Sequence, residues 1–199
     1  MRIFRIVLVS FLLISCKSDE ENKFLKKFNP AEHIEQMLKI EKAIELYDEG
    51  TEFFKMGDFE SAKKSFHKSF DIENSPISLN ELGTIEVAKK DYAEAIKYFN
   101  QGRKLDPNYW PVYINEARCY EKLTEFKKAE DLLLLLKKQC KSDYWITQAD
   151  FILALIYFNS RQGCEKVYEF LDKSQSMTTY PELKDPYMNF KNYVETNCE

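Results

Sequence analysis

The feature that most constrains how this chain folds is an internal repeat with a period of 33 to 34 residues. The segment AIELYDEGTEFFKMGDFESAKKSFHKSFDIEN is followed by PISLNELGTIEVAKKDYAEAIKYFNQGRKLDPN. Four pairs of similar residues stand 33 apart in these segments: Gly50 and Gly83, Phe59 and Tyr92, Ala62 and Ala95, Phe66 and Phe99. In a third copy, Tyr120, Phe126 and Ala129 stand 34 beyond Glu86, Tyr92 and Ala95. A period of this length predicts stacked structural units.

Each unit divides into two apolar stripes separated by a polar turn. In the second unit the stripes are Leu79, Leu82, Gly83 and Ile85, then Tyr92, Ala95, Ile96 and Phe99. Spacings of three and four indicate helices, because a strand would alternate at every second residue. Pro107 closes the unit, since proline lacks an N–H and disfavours a helical residue before it. The sequence therefore predicts a series of helical hairpins.

The pattern resembles the tetratricopeptide repeat. Gly83, Tyr92, Ala95, Phe99 and Pro107 stand at the small, aromatic and proline positions of that family. The first copy has Asn74 in place of the proline, and the third departs from the pattern after Ala129. The resemblance implies an all-α fold, an α-α superhelix of three clear and one divergent helical hairpin plus capping helices.

The repeat boundaries follow from this alignment. We place the three clear hairpins at about 43–75, 76–109 and 110–143, the divergent one at 144–178 and a capping helix at 183–197. Asn29-Pro30 resembles a helix N-cap followed by proline at the first helical position, which predicts a further helix through Ala43. The whole helical domain is thus predicted to span residues 29–199.

The first residues read as an export signal. Ile6 to Ile14 form an apolar run after two arginines, and nine residues are too few to span a bilayer, which needs about 20. Leu13-Ile14-Ser15-Cys16 resembles the lipobox of bacterial lipoproteins. This resemblance implies a signal peptide at 1–15, acylation of Cys16 and a flexible tether at 16–28. An ordinary signal peptide with an incidental Cys16 is the alternative.

The residues after the lipobox indicate the destination. Lys17 in place of aspartate resembles lipoproteins sent to the outer membrane of Gram-negative cells. The cluster Asp19-Glu20-Glu21 is similar to surface-export signals of some lineages, although a solvated linker would also be charged. We expect a lipid-anchored protein of the cell envelope, located in the outer membrane. Both the periplasmic face and the cell surface are left open as the side on which it lies.

Composition argues against several functions. Without residues 1–15 the chain has 27 basic and 33 acidic residues, a net charge of −6 that disfavours nucleic acid. The five glycines form no phosphate-binding cluster, and no Gly-x-Ser-x-Gly occurs. The pattern predicts that His33 and His67 lie at solvent-exposed helix positions. Neither belongs to a spacing typical of zinc ligands. We therefore predict a protein that is not an enzyme and has no cofactor or metal. Hydrolysis of glycosides by a pair of carboxylates is the alternative that the sequence leaves open.

Four cysteines follow Cys16 and allow three pairings. Cys164 begins the second helix of the fourth unit, and Cys198 ends a helix that runs back in the other direction. Both should lie at the same end of the stack, so we predict a Cys164–Cys198 disulfide. Cys119 takes a position that this repeat usually fills with alanine, which predicts a buried thiol, and Cys140 is a poor partner for it.

The family resemblance also implies a partner-binding groove lined by the first helix of each unit. Carried over by position, its residues are Ile44, Tyr47, Thr51, Phe54, Ile77, Asn80, Thr84, Val87, Ile114, Arg118 and Glu121. The lysine and asparagine with which some repeats grip a chaperone's terminal carboxylate are replaced by Tyr47 and Thr51. These residues predict a scaffold for a protein or peptide partner. The alternative is a nutrient-capture accessory that binds glycan or peptide beside an outer-membrane transporter.

Overall fold

The computed structural model describes residues 38–198, and every regular element in that range is a helix. The α-helices are α1 (Glu41–Lys55), α2 (Phe59–Ile72), α3 (Pro76–Ala88), α4 (Tyr92–Leu105), α5 (Trp110–Lys122), α6 (Phe126–Gln139), α7 (Asp143–Asn159), α8 (Cys164–Lys173) and α9 (Pro181–Asn197). A short 3-10 helix, Gln175–Thr179, stands before α9. The predicted signal peptide, Cys16, tether, front helix up to residue 37 and His33 lie outside the described residues.

The helices pair as consecutive hairpins, α1 with α2, α3 with α4, α5 with α6 and α7 with α8. The chain forms two compact units, with the first two hairpins in one (up to Asp106) and the remaining helices in the other (from Pro107). Within the first unit α2 also contacts α3, and within the second α6 contacts α7. The predicted all-α fold of tetratricopeptide-type hairpins is confirmed.

The same turn joins the two helices of all four hairpins. The N–H of Asp58 donates to the carbonyl of Phe53, and equivalent bonds run from Asp91 to Glu86, Glu125 to Tyr120 and Gln162 to Tyr157. The residue before each donor has a positive φ, which is the left-handed cap of a Schellman motif. Gly57 adopts this conformation readily, whereas Lys90, Thr124 and Arg161 carry the steric cost of a Cβ there.

Side chains complete the helix ends. The Asp58 carboxylate accepts a hydrogen bond from the N–H of Ser61, and Asp91 accepts one from Glu94 in the next hairpin. Glu73 accepts hydrogen bonds from the amides of Lys39 and Ile40, just before α1. The predicted helix through Ala43 is therefore wrong at residues 38–40, which are not helical. The amides of Lys39 and Ile40 donate to Glu73 instead of continuing a helix.

Small residues allow the paired helices to approach closely. A Cβ at Gly83 would lie 2.4 Å from Cε1 of Phe99, and one at Gly50 would lie 2.9 Å from the ring of Phe66. Both phenylalanines are buried. Carbon atoms make favourable contacts at about 3.5–4.0 Å, so either methyl group would force the ring away. The recurring glycine thus has a packing role in both hairpins of the first unit.

Polar pairs join successive hairpins at one repeated position. Lys63 on α2 lies 2.6 Å from Glu86 on α3, and Lys89 lies 3.3 Å from the same carboxylate, which is almost fully buried. Burial raises the pKa of Glu86, but hydrogen bonds from the two lysines outweigh it, so the pKa lies below its usual value. In the second unit the equivalent contact joins Glu130 on α6 to the Tyr157 hydroxyl on α7.

The cysteines follow the predicted arrangement. Cys164, at the start of α8, forms a disulfide with Cys198, which follows the end of α9. Cys119 and Cys140 are free and buried. Burial raises the pKa of the Cys119 thiol to about 12, so this thiol is poorly reactive at neutral pH.

Candidate functional site

The first unit places the predicted partner-binding positions of two hairpins on neighbouring first helices, α1 and α3. Five of these residues are half-buried and retain exposed surface: Ile44, Thr51, Phe54, Thr84 and Val87. Tyr47, Ile77 and Asn80 are buried. The surface open to a partner is therefore smaller than the sequence pattern alone implies.

Tyr47 has two roles in this region. Its ring packs edge-on against Phe66, with centroids 5.3 Å apart, and so belongs to the core of the first hairpin. Its side chain also forms a hydrogen bond with Glu81 on α3. Asn80 donates a second hydrogen bond to Glu81, from Nδ2 to Oε1 at 3.2 Å. Tyr47, Asn80 and Glu81 thus form a polar cluster, named the Glu81 cluster below, that connects α1 and α3.

Glu81 is the site residue that sequence reasoning missed. Burial raises the pKa of its carboxyl, and the hydrogen bonds from Asn80 and Tyr47 act in the opposite direction. A carboxyl with a raised pKa takes up a proton more readily than an exposed one. In the sequence Glu81 follows a predicted groove position, and no periodicity distinguishes it from exposed acidic residues of the same helices.

The two threonines of the site make the same internal contact 33 residues apart. The Thr51 hydroxyl donates to the carbonyl of Tyr47 at 3.0 Å, and the Thr84 hydroxyl donates to that of Asn80 at 2.9 Å. Each hydroxyl proton is therefore used within its own helix. The oxygen atoms of these hydroxyls can still accept a hydrogen bond from a partner.

In the second unit the predicted positions have different surroundings. Ile114 is buried, Arg118 is exposed and Glu121 is half-buried on α5. Glu121 accepts a hydrogen bond from Asn159 of α7 at 2.7 Å and lies 3.0 Å from Lys122. The binding roles of all eleven predicted residues, in both units, stay predictions.

In the fourth hairpin, α9 lies over two positions that correspond to predicted partner-binding residues of α3. The shared turn aligns Tyr157 with Glu86, so Phe151 and Phe158 correspond to Asn80 and Val87. Phe151 and Phe158 both lie against the ring of Phe190, with centroids 5.7 Å apart in each case. The predicted capping helix therefore lies over the aromatic positions of the last hairpin.

The side chains that could serve catalysis or sugar binding make other contacts in this structure. His67 is half-buried beside Tyr98 rather than solvated as predicted, and burial together with nearby Lys63 lowers its pKa. Trp110 and Trp145 pack against neighbouring tyrosine rings, which does not favour a sugar-binding platform. Within residues 38–198, no group of three or more His, Cys, Asp or Glu side chains could hold a metal ion.

None of the helices in the described range combines the length and apolar character needed to cross a bilayer.

Fold and site together define an all-helical repeat protein whose first helices carry candidate binding positions. Residues 86–149 match the family model described as tetratricopeptide repeat. The predicted tetratricopeptide repeat is thereby confirmed over these residues.

Solved structures of tetratricopeptide-type proteins are similar to this fold. MamA from Desulfovibrio magneticus is 19% identical, with a TM-score of 0.58 over 79% of this chain and 95% of that one. A tetratricopeptide repeat protein from Parabacteroides merdae is 19% identical, with a TM-score of 0.58 over 79% of this chain and 67% of its own. The TPR2B domain of yeast Sti1, solved as a complex with pHsp70, is 21% identical, with a TM-score of 0.53 over 61% of this chain and 97% of that one.

Proposed function

We propose that this protein is a lipid-anchored scaffold of the bacterial cell envelope that binds a protein or peptide partner without acting as an enzyme. The observation that carries the proposal is the set of half-exposed side chains on α1 and α3, where apolar Ile44, Phe54 and Val87 accompany the carboxyl of Glu81. A few fixed polar groups within an apolar surface are typical of sites that orient a bound segment.

The chemistry of the cluster indicates what the partner presents. Glu81 offers carboxyl oxygens, so the site suits backbone or side-chain N–H donors. An amphipathic helix or an extended strand can supply both such donors and apolar side chains. The Sti1 structure supports partner binding by this fold, whereas Tyr47 and Thr51 argue against capture of an acidic chain end here.

The anchoring part of the proposal rests on the sequence of the first residues. The apolar run, the lipobox-like Leu13–Cys16 segment and Lys17 support export, acylation of Cys16 and retention at the outer membrane. Two or more acyl chains give stable anchoring. Confinement at a membrane raises the effective concentration of partners held at the same membrane, which suits a scaffold.

Partner binding is tested by site-specific photocrosslinking in intact cells. A photoreactive amino acid replaces Val87 in the candidate site, and in a matched variant it replaces Lys64, which is exposed on α2. We expect the Val87 variant to give a discrete crosslinked protein that the Lys64 variant does not give. Equal products from both positions, or none from either, would refute binding at this surface.

Anchoring is tested separately by metabolic labelling with an alkyne fatty acid. We expect the full chain to be labelled and to sediment with outer membranes, and the Cys16→Ala variant to be unlabelled. Label that persists in the Cys16→Ala variant would show that the anchor is not this cysteine.

A further inference from the structure

The C-terminal half of α9 is held differently from its N-terminal half. In the N-terminal half Leu183 and Tyr187 are buried, the Tyr187 hydroxyl donates to the carbonyl of Leu171, and Glu182 accepts a hydrogen bond from Tyr144 at 3.1 Å. In residues 188–198, named the strap here, Val194 is the buried side chain. Met188 and Tyr193 in the strap are 39% and 54% exposed.

The strap lies on an aromatic surface of α7. The Phe190 ring contacts Phe151 and Phe158 edge-on, with centroids 5.7 Å away in both cases, and Tyr193 contacts Phe158 at 5.5 Å. Edge-on aromatic pairs contribute modestly to stability. Apart from the disulfide, the strap is therefore held by these ring contacts and by the single buried side chain of Val194, while Tyr193 adds little burial.

A proline separates the two halves of the helix. Pro186 lies inside α9 and has no N–H, so it cannot donate to the carbonyl of Glu182 one turn before it. Helices bend most readily at such a position. The strap therefore begins two residues beyond a position at which a helix can bend, and its other end is fixed by the Cys164–Cys198 disulfide. Both cysteines are half-buried, which leaves the bond partly accessible to solvent.

We propose that the strap is a redox-controlled cover. Reduction of the Cys164–Cys198 bond by a dithiol releases residues 188–198 to move about Pro186 and exposes Phe151 and Phe158. This inference is independent of the proposed partner-binding role of α1 and α3, because it concerns a different unit.

The chemistry is thiol–disulfide exchange. A thiolate of the dithiol attacks one sulfur of the bridge, the S–S bond breaks, and the other cysteine leaves as a thiolate. The second thiol of the reductant then attacks the mixed disulfide and releases the first cysteine. Two electrons and two protons pass to Cys164 and Cys198, which become thiols, and the reductant becomes a disulfide.

Hydrogen exchange followed by mass spectrometry tests the proposal on the full chain, before and after treatment with dithiothreitol. We expect amides of the strap to exchange at least about tenfold faster after reduction, while α7 and α8 stay protected. Binding of a hydrophobic dye should increase in parallel, because two phenylalanine rings become exposed. Cys198→Ser should give the same pattern without reductant, and Cys140→Ser, which removes a free thiol, should behave as wild type.

Two results would overturn the proposal. Unchanged exchange of the strap after reduction would show that the ring contacts suffice to hold it. Loss of protection throughout α7 and α8 would show that the disulfide maintains the whole fold of the unit. The hinge is tested by adding Pro186→Ala to Cys198→Ser, which restores the missing N–H and should slow exchange of the strap. Equal exchange in the two variants would show that Pro186 is not the hinge.

Discussion

Replacement of Gly83 by alanine tests the packing that the repeat pattern predicts. The new Cβ would lie 2.4, 2.7 and 2.8 Å from three carbons of the Phe99 ring, which is completely buried. Favourable contact between carbon atoms requires about 3.5–4.0 Å. The ring or the helix must therefore move by roughly 1 Å to admit the methyl group.

The expected magnitude combines two opposing effects. Overpacking of a dense core costs about 1–3 kcal/mol, and the severity of this overlap favours the upper end. Alanine is a better helix former than glycine by about 1 kcal/mol. The free energy of unfolding should therefore fall by about 2 kcal/mol, which corresponds to a decrease in Tm of about 4–8 °C for a chain of this size. Gly50→Ala, whose shortest contact is 2.9 Å, should cost less.

Urea and thermal unfolding followed by far-UV circular dichroism measure these changes. The Phe99→Leu variant provides the decisive comparison, because the smaller side chain leaves room for the alanine methyl group. We expect Gly83→Ala to cost less in the Phe99→Leu background than in wild type. A Gly83→Ala variant as stable as wild type, or an equal cost in both backgrounds, would refute close helix approach as the role of this glycine.

Three further substitutions test single contacts by the same unfolding measurements. Glu86→Gln should cost about 1–2 kcal/mol at neutral pH, because two charge-assisted hydrogen bonds weaken. Since folding lowers the Glu86 pKa from its ordinary value of 4.5, the stabilisation is present above that pH and is lost as pH falls, so the difference from wild type should shrink in acid. Thr124→Gly should stabilise by about 1 kcal/mol, since a β-branched residue there has a φ of 59°. Asp91→Ala should cost about 1 kcal/mol through loss of the helix cap.

Each of these has a result that contradicts it. A pH-independent difference for Glu86→Gln would show that charge at this carboxylate does not stabilise the fold. Destabilisation by Thr124→Gly would mean that chain entropy outweighs relief of the left-handed strain. An Asp91→Ala variant of unchanged stability would show that solvent replaces the cap without cost.

Much of the fold could be predicted because repeated small residues report helix packing directly. Gly50 and Gly83 lie against the rings that stand 16 residues later, Phe66 and Phe99, as close helix pairing requires. The disulfide was also predictable, because helix direction alone places Cys164 and Cys198 at one end of the second unit.

Features that depend on tertiary neighbours could not be predicted. The sequence predicts helix at residues 38–40, but Glu73 accepts hydrogen bonds from the amides of Lys39 and Ile40, and Ile40 has an extended backbone. Glu81 forms a hydrogen bond with Tyr47 from another helix, and periodicity within α3 does not report that neighbour. Ile114 has the spacing of a binding residue, yet it is buried in the second unit.

The contact between successive hairpins also determines the order in which the modules can be joined. Lys63 and Glu130 occupy equivalent places on second helices, and Glu86 and Tyr157 occupy equivalent places on the first helices that follow. If the second hairpin were transplanted behind the third, Glu86 would face Glu130, and two carboxylates would repel each other in a confined space. Duplication or shuffling of hairpins during evolution would therefore require a compensating charge change at this junction.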